Sequence, residues 1–245
     1  MIGGGNHFCE VQGVEQVLDP EAAARIGLAE GDLCLLIHSG SRGRGAQVFE
    51  GLDDGGKRGF APDGDAALRY LALHDAAVAW ARANRRLIAE AAARALRSEA
   101  VLLCDAVHNS VQRWGSLWLH RKGAAEADRG LAPLADSRES LSFLLSVPEG
   151  PAEALGSVSH GAGRGYDRAS MQGRIRKTRS DLAALEQTRF GGRVICDDRD
   201  LLLEEAGQAY KSADQVARDL EAFGLARRAA SLAPLITFKT ARGAR

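Results

Sequence analysis

The chain has no C-x-x-C pair. Its four cysteines, Cys9, Cys34, Cys104 and Cys196, lie far apart, which argues against a zinc ribbon. No basic-then-apolar leader opens the sequence, so a secreted disulfide framework is not expected either, and a reducing, cytoplasmic setting is. No apolar run approaches the ~20 residues that a membrane-spanning helix needs, so no membrane partner is expected. Charge of one sign is lacking too: 32 Lys and Arg stand against 32 Asp and Glu. No global positive field announces a nucleic acid, and any such contact has to come from a local cluster. Aromatic residues make up only 5%, and Trp80, Trp114 and Trp118 are read as core or helix-packing residues rather than base-stacking platforms.

What is present suits one or two globular domains: 245 residues, 45% of them apolar, suffice to bury a sizeable core. Leu33 to Ile37 is a short apolar run of the kind a buried strand has, and it exits at His38 into Ser39-Gly40-Ser41-Arg42-Gly43. Val101 to Cys104 reads as a second such strand with His108 just beyond its end, and Leu141 to Val147 as a third. Gly156 to Ser159 delivers the chain to His160. Asp65 to Leu96, rich in alanine, leucine and arginine without glycine or proline, predicts a long helix that contains His74 in a structural role. Helices are also expected over 170–187 and 213–223, strand over 193–196, extended chain over 232–238 and a loop over 51–64. Strands and helices mix without βαβ alternation, so the fold class is α+β.

His7, His38, His108 and His160 each sit beside glycine, serine or asparagine. Loops on a rigid scaffold are where ligands are presented, and neutral imidazole is the commonest transition-metal ligand. One histidine in that setting is an ordinary polar loop residue; four make a metal site a working hypothesis, though their spacing matches no zinc motif. Histidine can also act as a covalent nucleophile toward phosphorus. His160 is the candidate, because Gly161-Ala162-Gly163 lets backbone amides approach phosphate oxygens and Arg164 and Arg168 can grip phosphate. Arg164, Arg168, Arg174, Arg176, Lys177 and Arg179 also form a basic stretch, whose default reading is a solvated helix face.

Five motifs in order carry a resemblance: G-G-G-N-H-F-C-E from Gly3, I-H-S-G-S-R-G from Ile37, V-H-N from Val107, H-R-K-G-A from His120 and S-H-G-A-G-R from Ser159. E-E-A-x-x-A-Y-K from Glu204 and the late Lys239 extend it nearly to the end of the chain. Together they closely resemble the RtcB RNA ligases. The resemblance implies an α+β ligase domain over residues 1–245, two manganese ions, GTP, and RNA with 3′-phosphate (or 2′,3′-cyclic phosphate) and 5′-hydroxyl ends as partner, in RNA repair or tRNA splicing. It places His7, His38 and His108 among the metal ligands and makes His160 the guanylylated residue. It puts Asn6, His7, Phe8, Cys9, Glu10, His108, Asn109, Ser137, Ser142, His160, Gly161, Ala162, Gly163 and Lys239 around the nucleotide. Arg42, Arg164 and Arg168 fall on RNA or nucleotide phosphates.

Two departures stand beside it. The family's aspartate and cysteine metal ligands precede the G-G-G-N-H motif, and the sequence opens at Met1 with that motif, so further sequence upstream is expected. Cys9 is read as a small buried apolar residue rather than a substitute ligand. Where relatives carry a P-G-S loop, this chain has Ala135-Asp136-Ser137-Arg138-Glu139, which is expected to set negative charge beside a negatively charged nucleotide. The competing readings are a descendant that binds RNA ends or metal without guanylylation, and an unrelated metal-dependent phosphoesterase.

Overall fold

The computed structural model describes residues 2–50, 52, 59–127, 130–148, 154–175 and 178–240. In chain order the first half comprises β1 (Phe8–Val17), α1 (Pro20–Arg25), β2 (Leu33–His38), α2 (Arg44–Glu50), α3 (Asp65–Ala95), β3 (Asn109–Trp114), β4 (Leu117–Lys122) and β5 (Ala124–Glu126). The second half comprises β6 (Leu131–Leu134), β7 (Ser142–Ser146), β8 (Ser157–Ser159), α4 (Arg168–Met171), α5 (Arg179–Ala184), β9 (Arg193–Cys196), α6 (Arg199–Glu204), α7 (Ala213–Ala222) and β10 (Arg227–Thr240). The mixture is α+β, as the sequence implied.

The main sheet is organised by β10. One of its edges pairs antiparallel with β1, which pairs in turn with β2. Its other edge serves two partners in succession, β7 antiparallel along 227–232 and β9 parallel along 236–240, and β6 extends the sheet beyond β7. Pro234 falls between those two partners, where its missing N–H leaves no ladder bond unmade. The principal core lies where Leu134, Phe143, Leu145 and Val158 meet Ala213, Ala217 and Leu220 of α7. The side chain of Ser212 caps α7 by accepting from Gln215 N–H.

Helix α3 follows the sequence closely: with no breaker it runs 31 residues, until the chain turns at Arg97 with φ +53°. Its polar side fastens two functional segments. Asn84 donates to Ser39 Oγ and to the Gly40 carbonyl at 2.9 and 3.3 Å, and Arg85 donates to the Ser39 carbonyl at 3.0 Å. Arg85 also pairs with Asp105 at 2.6 Å. The chain just after His38 and the chain just before His108 are therefore held by neighbouring residues of one helix. His74, on the same helix, has the structural role expected, accepting from Val111 N–H at 3.2 Å.

Several expectations need correction. Val101 to Cys104 is not a strand: no sheet edge pairs with it among the described residues, and Val101 and Leu102 remain 87% and 77% exposed. His108 accordingly leads into β3 instead of leaving a strand. The helix over 170–187 is two short helices, each started by its own cap, Asp167 accepting from Ser170 N–H at 2.8 Å and Thr178 from Asp181 N–H at 3.2 Å, with Gly173 just past the end of the first. Arg176 and Lys177 of the basic stretch, and residues 51 and 53–58 of the expected loop, lie outside the described residues. Trp80 takes the helix-packing half of its reading: it is 46% exposed on α3, with the guanidinium of Arg44 on α2 4.0 Å above its ring. Trp114 and Trp118 sit on the β3–β4 ribbon, half-buried.

Candidate active site

Three chain turns deliver imidazoles to one place. β2 ends at His38, the entry to β3 carries His108, and β8 stops one residue short of His160. A ring nitrogen from each lies within 4.8 Å of the others. His38 Nε2 is 3.1 Å from His108 Nε2, and the rings of His108 and His160 stack at 3.9 Å, 16° from parallel. The Nδ1–H of His160 donates to the Gly123 carbonyl at 2.6 Å. A carbonyl only accepts, so this bond fixes the tautomer and leaves Nε2 with its lone pair.

His7 stands beside the group. Its ring packs edge-on against His38 at 5.5 Å, and Arg42 Nη1 donates to its Nδ1 at 3.0 Å. Arg42 has φ +58°, a strained backbone for a residue with a side chain, and Gly3 leaves the space its guanidinium fills. Burial first, then the neighbouring Arg42 charge, holds the His7 pKa down at about 4. His38 is lowered to about 3 and His108 to about 4, in each case mainly by burial and then by the other imidazoles. Neutral rings keep lone pairs available for a cation. The buried Nδ1 of His108 has no protein partner among the described residues.

A cleft of about 190 Å³ opens beside these rings. Phe8 and Glu10 of β1 and Thr237 and Lys239 of β10 project into it, and Ala135 to Arg138, His160 to Arg164, Glu205 and Tyr210 complete its walls. Burial raises the Glu10 pKa, opposed by hydrogen bonds from Thr237 Oγ1 and, at 2.5 Å, Gln12 Nε2. Burial also lowers the Lys239 ammonium to about 8, although its Nζ donates to the carbonyls of Gly5 and His7 at 3.0 and 3.2 Å. Glu205, 2% exposed, gathers the cations: Oε1 meets Arg164 Nη1 and Arg168 Nε, each at 3.1 Å, while Oε2 accepts from the Tyr210 hydroxyl and lies 4.0 Å from Lys239 Nζ.

With the geometry in place, similarity to known proteins decides the family. The model of the family described as tRNA-splicing ligase RtcB matches residues 1–57 and 58–240. The chain belongs to the RtcB family. It is 41% identical to the RNA-splicing ligase RtcB2 of Escherichia coli, over 99% of this chain and 65% of that protein. Identity to the RNA-splicing ligase RtcB of Mycobacterium tuberculosis is 34%, over 96% of this chain and 63% of the relative. For the tRNA-splicing ligase RtcB of Archaeoglobus fulgidus it is 30%, over 96% and 58%. The chain thus spans roughly three-fifths of the length of these RtcB relatives.

Of the residues expected from sequence, Asn6, Phe8, Glu10, His38, Ser137, His160, Gly161, Ala162, Gly163, Arg164 and Lys239 line the cleft. His7, Cys9, His108, Asn109, Ser142, Arg42 and Arg168 do not. His108 nevertheless stacks on His160, His7 and Arg42 flank His38, and Arg168 reaches Glu205. Asn109 Oδ1 accepts from Gly123 N–H at 3.4 Å, and Ser142 Oγ accepts from Gln12 and from Asp136 N–H. Cys9 is buried with its thiol raised to about 11, in keeping with a small apolar residue. The nitrogens that converge belong to His38, His108 and His160, whereas the resemblance had grouped His7 with the first two.

The altered loop keeps Asp136 on the cleft wall while pairing both of its acids with backbone donors. Asp136 Oδ2 accepts from Ala213 N–H at 2.8 Å, at the start of α7, and Oδ1 accepts from Ser137 N–H at 2.6 Å. Glu139 Oε1 accepts from Gly207 N–H at 3.2 Å. Both carboxylates are turned onto backbone donors that offset their charge. Sequence reasoning missed Arg138, Glu205, Tyr210 and Thr237. The E-E-A-x-x-A-Y-K likeness contained two of them and was the available signal.

Proposed function

We propose that this chain carries the catalytic site of an RNA ligase that uses GTP and manganese to join RNA 3′-phosphate, or 2′,3′-cyclic phosphate, to 5′-hydroxyl ends through guanylylated His160. The observation that carries this reading is the bond from His160 to Gly123, which turns a nucleophilic lone pair into a cleft flanked by metal-competent imidazoles.

The residues fit a divalent transition ion. Neutral nitrogen donors converge, with the Nε2 atoms of His38 and His108 only 3.1 Å apart. His38 and His108 would hold the ion, with His7 joining on release from Arg42. Imidazoles alone do not select manganese over zinc-like ions, so metal supply decides. When bound, the metal neutralises phosphate charge and orients the group for in-line displacement.

The cleft chemistry favours a guanine nucleotide. A buried carboxylate such as Glu10 accepts the paired N–H donors that guanine presents on its Watson–Crick edge, with Lys239 as a neighbouring donor to the base carbonyl. Gly161 leaves its space free because a side chain there would stand 3.0 Å from the Ala135 carbonyl, and Arg164 supplies positive charge at the wall. His160 Nε2 attacks the α-phosphorus, the bond to the bridging oxygen breaks, and pyrophosphate leaves. The Gly123 carbonyl meanwhile stabilises the positive charge that develops on the ring. Guanylate then passes to an oxygen of the RNA 3′-phosphate, which frees the imidazole, and the 5′-hydroxyl attacks that phosphorus and expels GMP. A cyclic end is first opened by water.

The test is incubation with α-labelled GTP and manganese. Acid-labile label is expected on the protein and absent from His160→Ala. If neither this chain nor a version extended upstream takes up label, while 3′-phosphate RNA still binds, the non-guanylylating alternative replaces the proposal.

A further inference from the structure

Apart from Gly123, the H-R-K-G-A motif has no part in the chemistry above, yet it forms half of a two-stranded ribbon rooted in the site. β3 and β4 pair from Asn109↔Lys122 to Trp114↔Leu117. At the root, Gly123 donates to the His108 carbonyl at 2.7 Å and its own carbonyl receives His160 Nδ1–H.

Alternation gives the ribbon two unlike faces. One face packs on the body of the protein. Arg121, 4% exposed, donates to Ser157 Oγ at 2.8 Å and to the carbonyls of Leu155 and Gly156 at 3.2 Å, and Trp114 lies so close to Gly156 that a Cβ there would stand 2.7 Å from its ring. The other face carries Arg113, Trp118, His120 and Lys122, and apart from the half-buried Trp118 these are exposed. The Arg113 guanidinium lies 4.4 Å over the Trp118 ring, a flat cationic plate of the kind on which a base stacks. Its charge is shared with Asp63, an exposed acid at 2.5 Å that a phosphate can displace.

We propose that this outward face is the track on which an RNA strand lies as its end enters the cleft at His160. Neighbouring side chains on one face are about 6.8 Å apart, two residues at ~3.4 Å each, so successive nucleotides of an extended strand can meet Lys122, His120 and the Arg113–Trp118 plate in turn. The inner face anchors the ribbon to β8, so the track stays aligned with the nucleophile. Charge complementarity and position select RNA as the occupant. The direction of the strand rests on the ligase reading of His160.

The experiment measures the affinity of the chain for a fluorescent single-stranded RNA bearing a 3′-phosphate, without GTP, across a salt series. Arg113→Glu should bind roughly tenfold more weakly than the unaltered chain, with a log–log salt slope shallower by ~0.7 for each phosphate that the protein no longer neutralises. His120→Ala should also weaken binding. Arg227→Glu, an equal charge change at an exposed position on β10, should leave it unchanged. Equal losses in Arg113→Glu and Arg227→Glu, or no RNA binding by the unaltered chain, overturn the track. Guanylylation with GTP and manganese, without RNA, is run in parallel: its failure counts against the reading of His160, whereas the affinities decide the ribbon.

Discussion

Gly123 and His160 are joined by a 2.6 Å hydrogen bond from the ring Nδ1–H to the backbone carbonyl, and the same glycine donates its N–H to the carbonyl of His108. One residue thus holds both the His160 ring and the backbone of His108. Gly123 has φ +72°, and an added Cβ would stand 3.6 Å from His160 Cε1, an ordinary contact. The strain is therefore in the backbone, and Gly123→Ala should lose about 1–2 kcal/mol in urea unfolding. Self-guanylylation should slow by more than that loss of folded protein accounts for. Labelling at the unaltered rate in a folded Gly123→Ala protein would mean that the pin does not matter.

Metal binding should depend on the converging imidazoles. Equilibrium dialysis against manganese is expected to show that His108→Ala loses more than the ~10–100-fold in affinity that removal of an outer partner costs. His74→Ala, which alters a histidine outside the cluster, should bind as the unaltered chain does. Chelation should abolish guanylylation, and added manganese should restore it.

Glu205 is the buried anion on which Arg164, Arg168 and Tyr210 converge. Glu205→Gln leaves the two guanidinium groups without a buried counter-charge. The expected loss is about 3 kcal/mol in a denaturant titration, at the lower end for a broken buried pair because Arg168 is 46% exposed. Glu205→Asp should recover part of it. A Glu205→Gln protein as stable as the original would show that the arginines find other partners.

Far from the cleft, Glu221 accepts from Arg228 at three points: the backbone N–H and Nε at 3.0 Å, and Nη2 at 2.8 Å. The hydrogen bonds from Arg228 hold the Glu221 carboxyl below its ordinary value. A carboxyl whose folded pKa is depressed adds stability above its unfolded pKa and loses it as pH falls through the folded one. Glu221→Gln should therefore cost about 1 kcal/mol at pH 7, and the difference should vanish in strong acid. A gap between the two proteins that persists unchanged into strong acid would contradict the assignment.

Much of this was legible locally. The long helix from Asp65, the strand that ends at His38, the strand that begins at Ser142 and the extended chain through Phe238 follow from runs of residues that favour one backbone state. The motif order that marks an RtcB protein is local as well, since each motif is a few adjacent residues with a glycine or histidine at a turn. The failures were local runs whose fate depended on a neighbour: Val101 to Cys104 has strand composition but no sheet edge beside it among the described residues.

Which imidazoles meet was decided only in three dimensions. His38, His108 and His160 are brought together because Arg85 of one helix ties the first two segments and the β3–β4 root ties the last two. His7, one residue before β1, is drawn toward Arg42 instead. The same holds for Glu205 and for the carboxylates of the altered loop, which reach Arg168, Ala213 and Gly207 across 37, 77 and 68 residues. Residue type and spacing determine what a side chain can do; contacts between distant segments, set by sheet order and helix packing, determine which of those capacities is used.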